Sequence, residues 1–356
     1  MAKFTKTAIA LQGGGALGAY AFGALKAIYA SEPGFRPSCV SGVSIGAFTA
    51  AIVASHPDGP IPALQSFWDE LTIPHSPFIP EFFEPYLSYF GNRAMYSPRL
   101  DYFSLPFWTY LYDLSPVRET LNHYVDLDRI KKGDVKLVIT ATNIESGEID
   151  EFSNDSGQPI TLDHIIASGS LPPSYSKKEI YSRNEVGKQS YWDGGLFDNT
   201  PLGALLGKID ATDAATTRII VVNLFPKTGN VPMNMLDVFH RMIDLNFSNK
   251  TKKDIELARK INKLVLIIEQ LQGVLASDER SVLQQPEFQD LRKYRVFENI
   301  IPITNIHLEQ VSSSADFSKA TIDERIKTGF NDAKAALATP PGAAIAELRK
   351  VIAKAA

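Results

Sequence analysis

The first apolar run, "TAIALQ" from Thr7, is short and stops at three consecutive glycines, after which small and apolar residues recur from Leu17 to Tyr29. A run of this length bounded by glycine predicts a buried strand, a tight turn and a helix. The pattern returns in "CVSGVSIGAFTAAIVAS", where a short strand ends at Gly42-Val43-Ser44-Ile45-Gly46 and a small-residue helix follows. Further on, "VKLVITATNIESGEIDEFS" predicts a buried strand and, past a glycine turn, a second one. "SYW" predicts a strand running into Asp193-Gly194-Gly195, and "TRIIVVNLFP" from Thr217 another, closed by proline. Strands alternating with helical segments predict an α/β protein with a mostly parallel sheet.

Two regions break that rhythm. Phe78 to Tyr112 holds thirteen aromatics, and the repeated prolines 74, 77, 80, 85, 98 and 106 forbid one long helix. Short helical pieces packed over the sheet fit this pattern, with rings that either bury themselves or form a cap facing an acyl pocket or a lipid interface. From residue 226 to 356 the pattern is mainly helical, with one strand near Ile300 to Leu308 and a short terminal helix in "GAAIAELRKVIAKAA". Within it, Lys252 to Leu271 puts Ile255, Ala258, Ile261, Leu264 or Val265, Ile268 and Leu271 on one stripe, opposite a basic side. Such a stripe docks on its own domain, on a second copy of the chain, or on an anionic membrane surface.

Composition narrows the classes. The chain of 356 residues is 44% hydrophobic and 21% charged with a net charge of −4, an ordinary globular balance that argues against a nucleic-acid partner. Its one cysteine, Cys39, excludes an internal disulfide framework and a Cys-based zinc cage, and fits a cytoplasmic setting. Residues 7 to 30 could imitate a signal peptide or a membrane span, but Gln12, the glycines and Lys26 interrupt the run.

The glycine turn admits two chemistries. Gly13, Gly15 and Gly18 satisfy the dinucleotide spacing G-x-G-x-x-G, yet the acidic residue that this reading needs about twenty positions on is replaced by Cys39-Val40-Ser41. Outward-pointing amides of the same turn would equally hold the oxyanion of an acyl transfer. The second reading gains from G-x-S-x-G at Gly42 to Gly46, a spacing that puts a serine on a strained strand-to-helix turn with its Oγ exposed. A serine needs a base. His240 and His307 follow in triad order without a motif around either, whereas Asp193 is delivered by a strand into two glycines that leave its carboxylate accessible. Asn199 and Pro201 read as turn and cap residues.

Together, Gly13-Gly14-Gly15-Ala16-Leu17-Gly18, Gly42-Val43-Ser44-Ile45-Gly46 and Asp193-Gly194-Gly195, with "ASGSLPPSY" from Ala167 as a weaker fourth element, resemble the patatin-like phospholipases. The resemblance implies a three-layer α/β/α catalytic domain over residues 5–225, with the aromatic cap inserted at about 73–115, followed by the extension 226–356. It implies a Ser44–Asp193 dyad, an oxyanion hole from the Gly13, Gly14 and Gly15 amides, and Gly18, Gly42, Gly46, Gly194 and Gly195 as supporting positions. It further implies a lipid or acyl-ester substrate with no cofactor and no metal; the aromatic cap and the amphipathic helix would supply peripheral membrane contact. The alternative is a catalytically silent lipid-binding protein of the same fold. Many family members carry Arg or Lys just before the last glycine of the first motif; Leu17 stands here, so no cation is supplied at that position and the head group stays open.

Overall fold

β1 (Lys6–Leu11) has a solvent-facing first residue and is buried from the second onward, as a strand covered on both faces by helices must be. The computed structural model describes residues 4–181, 187–225, 231–233, 235–274, 281–306 and 314–338. The glycine turn passes through one 3-10 turn (Gly15–Leu17) into α1 (Gly18–Ser31). β2 (Cys39–Gly42) leads into α2 (Ile45–Ser55), then α3 (Ile61–Leu71). Residues 7 to 30 therefore form a core strand and a core helix, and no described helix is long and apolar enough to cross a membrane.

The cap follows as 3-10 segments at Glu81–Phe90 and Tyr102–Phe107, with a small hairpin of β3 (Ser97–Pro98) and β4 (Tyr112–Asp113). Next come α4 (Ser115–Tyr124), α5 (Leu127–Lys132), β5 (Lys136–Asn143), β6 (Ile149–Ser153), α6 (Leu162–Ser168), β7 (Lys178–Tyr181), β8 (Lys188–Asp193), α7 (Leu202–Gly207) and β9 (Thr217–Asn223). The C-terminal region supplies α8 (Met235–Val274), α9 (Ser281–Gln284), α10 (Pro286–Leu291), β10 (Ile300–Thr304) and α11 (Lys319–Ala338).

The main sheet runs β10-β9-β1-β2-β5-β8-β7, with β6 also paired to β5. The five strands from β10 to β5 are parallel, and β6, β7 and β8 are attached antiparallel. Helices cover both faces of this mixed, mostly parallel sheet, in keeping with a three-layer α/β/α fold. The predicted strand near Ile300 extends the same sheet beside β9, so the C-terminal region shares the catalytic sheet. Residues 307 and 308 of that prediction, and the terminal helix from Gly342, lie outside the described residues.

One prediction needs correction. α8 begins well before Lys252, and its buried stripe is Ile255, Ala258, Val265 and Leu266; Val265 rather than Leu264 takes the docked position, and Leu271 of the predicted stripe is exposed. In the cap, Tyr96 and Met95 are buried, but Phe78 is 93% and Phe107 85% exposed, with Phe82, Phe90, Tyr102 and Phe103 also in solvent. The rings do not simply bury one another, because short proline-broken turns present side chains to both sides.

Candidate active site

Parallel register brings the two separated motifs to one edge of the sheet. Leu11 of β1 lies opposite Gly42 of β2, and Gly42 opposite Ile139 of β5; two residues further along β5, Ala141 lies opposite Asp193. The chain leaves β1 and β2 at this height, so the glycine turn, Ser44 and Asp193 meet where α/β sheets commonly place their sites.

Ser44 sits between β2 and α2 with φ 56° and ψ −129°, the one described non-glycine residue at positive φ. Its N–H is held by the Ser168 carbonyl at 3.1 Å and the Ser168 hydroxyl at 3.0 Å, and that hydroxyl in turn donates to the Thr140 carbonyl at 2.7 Å. The bend is tight enough that a Cβ on Gly42 would lie 2.2 Å from the Gly46 carbonyl oxygen, and one on Gly46 2.4 Å from that of Leu11. The supporting glycines are thus points of backbone contact. Gly18 instead makes room for side chains, since its Cβ would stand 2.8 Å from Ile45 Cγ1. Leu17, where a cation stands in many family members, is buried in the core.

Asp193 ends β8 at 2% exposure. Its backbone N–H donates to the Ser170 carbonyl at 3.0 Å, and its carbonyl accepts from the Thr142 hydroxyl at 2.9 Å. The segment 167–171 therefore grips both Ser44 and Asp193. The Asp193 carboxyl faces the Ser44 hydroxyl, which favours its charged form, and accepts from Gly195 N–H at 2.7 Å. Burial pushes its pKa up to about 7, against the opposing pull of these two donors. A proton acceptor poised near neutrality beside a serine hydroxyl is suited to general-base work. Gly194 packs on the Thr140 carbonyl, 2.6 Å from where its Cβ would be.

The glycine turn divides into two parts. Gly13 is buried, and its N–H donates to the Asn199 carbonyl at 3.2 Å, so that amide is already used. Gly14 and Gly15 are half-exposed, and their N–H groups have no acceptor among the described residues. Ile45 N–H, at the start of α2, is likewise unmatched there. Of the three amides expected to form an oxyanion hole, that of Gly13 is thus taken up inside the protein, and Gly13 packs the loop, its Cβ position lying 2.9 Å from Ser44 Cβ.

Asn199 carries a role its turn signature hid: its Nδ2 donates to the Gly13 carbonyl at 3.1 Å. Among the described histidine side chains, none is bonded to Ser44 or Asp193. His56 bonds the Ile52 carbonyl, His75 pairs with Glu84, and His164 serves in a helix cap with burial lowering its pKa to about 4. His307 and the side chain of His240 lie outside the described residues. No cluster of three or more metal-ligating side chains occurs among the described residues.

A small cleft with a cavity of about 30 Å³ lies beside the loop that follows Asp193, lined by residues from Gly195 to Thr200 and by Asn246 and Phe247 of α8. Phe247 also packs on Phe225, with ring centroids 5.1 Å apart.

Comparison with known proteins follows these elements. No curated protein matches the chain. The crystal structure of VipD from Legionella pneumophila aligns with a TM-score of 0.38 at 14% identity, over 93% of this chain and 66% of VipD, just under two thirds of its length. Residues 245–346 match a second model described as patatin phospholipase. The model described as patatin-like phospholipase matches residues 9–206, more than half of the chain and the whole stretch from the glycine turn to the Asp193 loop; the chain belongs to that family.

Proposed function

We propose that this protein hydrolyses lipid acyl esters with Ser44 as nucleophile and Asp193 as its base. The observation that carries the reading is the convergence of Ser44, on a strained strand-to-helix turn, with the buried Asp193 carboxyl, whose pKa stands near 7. In this mechanism Asp193 takes the Ser44 hydroxyl proton as Oγ attacks the ester carbonyl carbon. Charge developing on the carbonyl oxygen is received by the Gly14 and Gly15 amides, with the N-terminus of α2 adding its positive end. Collapse expels the alcohol, which takes the proton from Asp193. Water then attacks the acyl-enzyme with Asp193 again as base, and Ser44 is regenerated.

The cavity beside Gly195, about 30 Å³, is far smaller than pockets that enclose a whole drug-sized ligand; it admits at most the tip of an acyl chain, and the rest of the lipid stays outside. Exposed cap rings at Phe78, Phe82, Phe103 and Phe107 support docking on a lipid surface, where such side chains lose water contact.

The test is acid or alcohol release from a panel of esters graded in chain length and head group, with wild type and Ser44→Ala compared in the presence of a chelator. Turnover by wild type alone supports the dyad. Equal turnover by Ser44→Ala removes it, and liposome binding with no release from any ester favours a silent lipid-binding protein.

A further inference from the structure

The C-terminal region reaches the glycine turn through a short strap, residues 314–318. Ser314 offers its carbonyl to Ala16 N–H at 2.7 Å. The same carbonyl oxygen lies 2.3 Å from where a Cβ on Gly15 would stand, and Gly15 has φ 56°, so only glycine fits beneath it. From the next residue on, the strap binds the cap. The Ser88 hydroxyl donates to the Ala315 carbonyl, Ile73 N–H donates to the Phe317 carbonyl at 2.8 Å, and Lys319 N–H returns to the Ile73 carbonyl at 3.1 Å.

The strap is itself rigidly held. The buried Asp316 carboxylate accepts from Ser318 N–H at 3.0 Å and from the Thr321 hydroxyl at 2.7 Å, and buried Arg325 donates to the Asp316 carbonyl at 3.1 Å. Phe317 is buried in the main core. Behind it, α11 lies so close to α1 that a Cβ on Gly329 would stand 2.0 Å from the Tyr20 carbonyl oxygen, and one on Gly23 2.0 Å from that of Ile326. Tyr20 OH also donates to Asp332 at 2.8 Å.

We infer that residues 314–318 are positioning residues for the oxyanion loop, fixing the Gly14 and Gly15 amides from behind and tying them to the cap. The inference rests on the proposed role of those amides. It follows from connectivity: the peptide that carries the free Gly15 N–H is followed directly by Ala16, whose N–H the strap holds. An amide held about 1 Å from its productive place forfeits much of its effect on rate, so the strap acts on turnover without touching substrate. It also makes the C-terminal region part of the site's construction.

The test is Asp316→Ala, which releases the strap's internal turn and touches neither Ser44, Asp193 nor the glycine turn. The readouts are kcat and KM on a short soluble ester, thermal midpoint, and hydrogen exchange of the segment containing Gly14 to Ala16. The expected result is a kcat loss of about tenfold or more with KM within about twofold, faster exchange of that segment, and recovery of most of kcat in Asp316→Asn, which keeps an acceptor. A fall in thermal midpoint with kcat within about twofold and unchanged exchange would overturn the inference. Should Asp316→Ala not fold, Ser88→Ala, which removes one hydroxyl, is expected to raise exchange at Ala16 and lower kcat by a few-fold; no change in either overturns it. Exchange separates this inference from the functional reading. If wild type is inactive on every ester while exchange responds as stated, the strap stands and the hydrolase assignment falls.

Discussion

Gly13 and Asn199 hold each other twice: Gly13 N–H donates to the Asn199 carbonyl at 3.2 Å, and Asn199 Nδ2 donates to the Gly13 carbonyl at 3.1 Å. One residue belongs to the turn after β1 and the other to the loop after Asp193, so this pair locks the loop proposed to hold the oxyanion to the loop that follows the proposed base. The contact is close, since a Cβ on either Gly13 or Gly195 would come within 2.6 Å of Asn199 Oδ1.

Asn199→Ala therefore unfastens two catalytic loops at once. It leaves the buried Gly13 carbonyl without its side-chain donor, which costs about 1–3 kcal/mol of stability. Turnover is expected to fall about 10- to 100-fold through misplacement of the loops. Steady-state kinetics beside thermal unfolding check this; kcat at the wild-type level would show that the loops keep their places without the pair.

The pKa of Asp193 sets both activity and stability against pH. Its folded value, about 7, lies above the ordinary carboxylate value because burial disfavours the charge. The base works only when deprotonated, so kcat/KM should rise with pH through about 7. Stability runs the other way. Between about pH 4 and 7 the folded state binds more proton than the unfolded state, so this group's contribution is complete below the unfolded value and is lost as pH rises through the folded one. Asp193→Asn removes the cost of the buried charge. It should be inactive yet more stable than wild type at pH 8, by an amount on the order of a few kcal/mol at most. A flat rate profile from pH 5 to 8, or a mutant less stable than wild type at pH 8, would contradict this.

Backbone strain at Ser44 gives an independent test. A non-glycine residue at φ 56° and ψ −129° costs about 1–3 kcal/mol. Ser44→Ala and Ser44→Gly lose the same hydroxyl facing Asp193, but only glycine relieves the backbone. After allowing for the extra freedom of glycine in the unfolded chain, Ser44→Gly should be the more stable by about 1 kcal/mol. Denaturant midpoints of the two inactive variants decide it.

How far the site could be read from sequence depended on how local its causes are. The glycines around Ser44 and after Asp193 were legible because each stands in the chain beside the residue it serves, even where the atom it packs on, the Leu11 carbonyl oxygen for Gly46 or that of Thr140 for Gly194, lies far away. Asn199 was not, because a turn-shaping asparagine has the same signature whether or not its amide reaches a distant carbonyl. The use of Gly13 N–H inside the protein, and the carbonyl of Ser314 over Gly15, were also hidden: both partners lie far along the chain, and neither acts through a side chain. In the C-terminal region, periodicity located a helix and its docked stripe but misplaced Leu271, since an apolar residue has no mark that separates a docked face from a bare one.

The bare rings of the cap lead to a prediction about interfaces. Phe78, Phe82, Phe103 and Phe107 expose large apolar area on short turns, and inserting such area into a lipid surface gains about 25 cal/mol per Å². Replacing Phe103 and Phe107 together by serine should weaken binding to neutral phosphatidylcholine vesicles at least tenfold while leaving hydrolysis of a short soluble ester within about twofold. Cosedimentation and ester kinetics on the same preparations read the two effects separately, and equal vesicle binding would exclude these rings as the contact.

Phe247 offers the sharpest test of the cleft. It lies on α8, outside the stretch matched by the patatin-like phospholipase model, yet lines the cleft opposite Leu196 and Phe197 and packs on Phe225, which in turn covers Gly14. Truncating it both lengthens the cleft and removes one support of the oxyanion loop, and the two effects separate by substrate. A longer cleft shifts the preferred acyl length upward, with kcat/KM for longer chains rising relative to shorter ones, because each added buried methylene contributes about 0.8 kcal/mol. A loosened loop lowers kcat for every ester by the same factor, whatever its length. Phe247→Ala should show the length shift, and Phe247→Leu an intermediate one. A uniform loss in both variants would mean that the cleft is not where the acyl chain lies and that Phe247 serves the glycine turn alone.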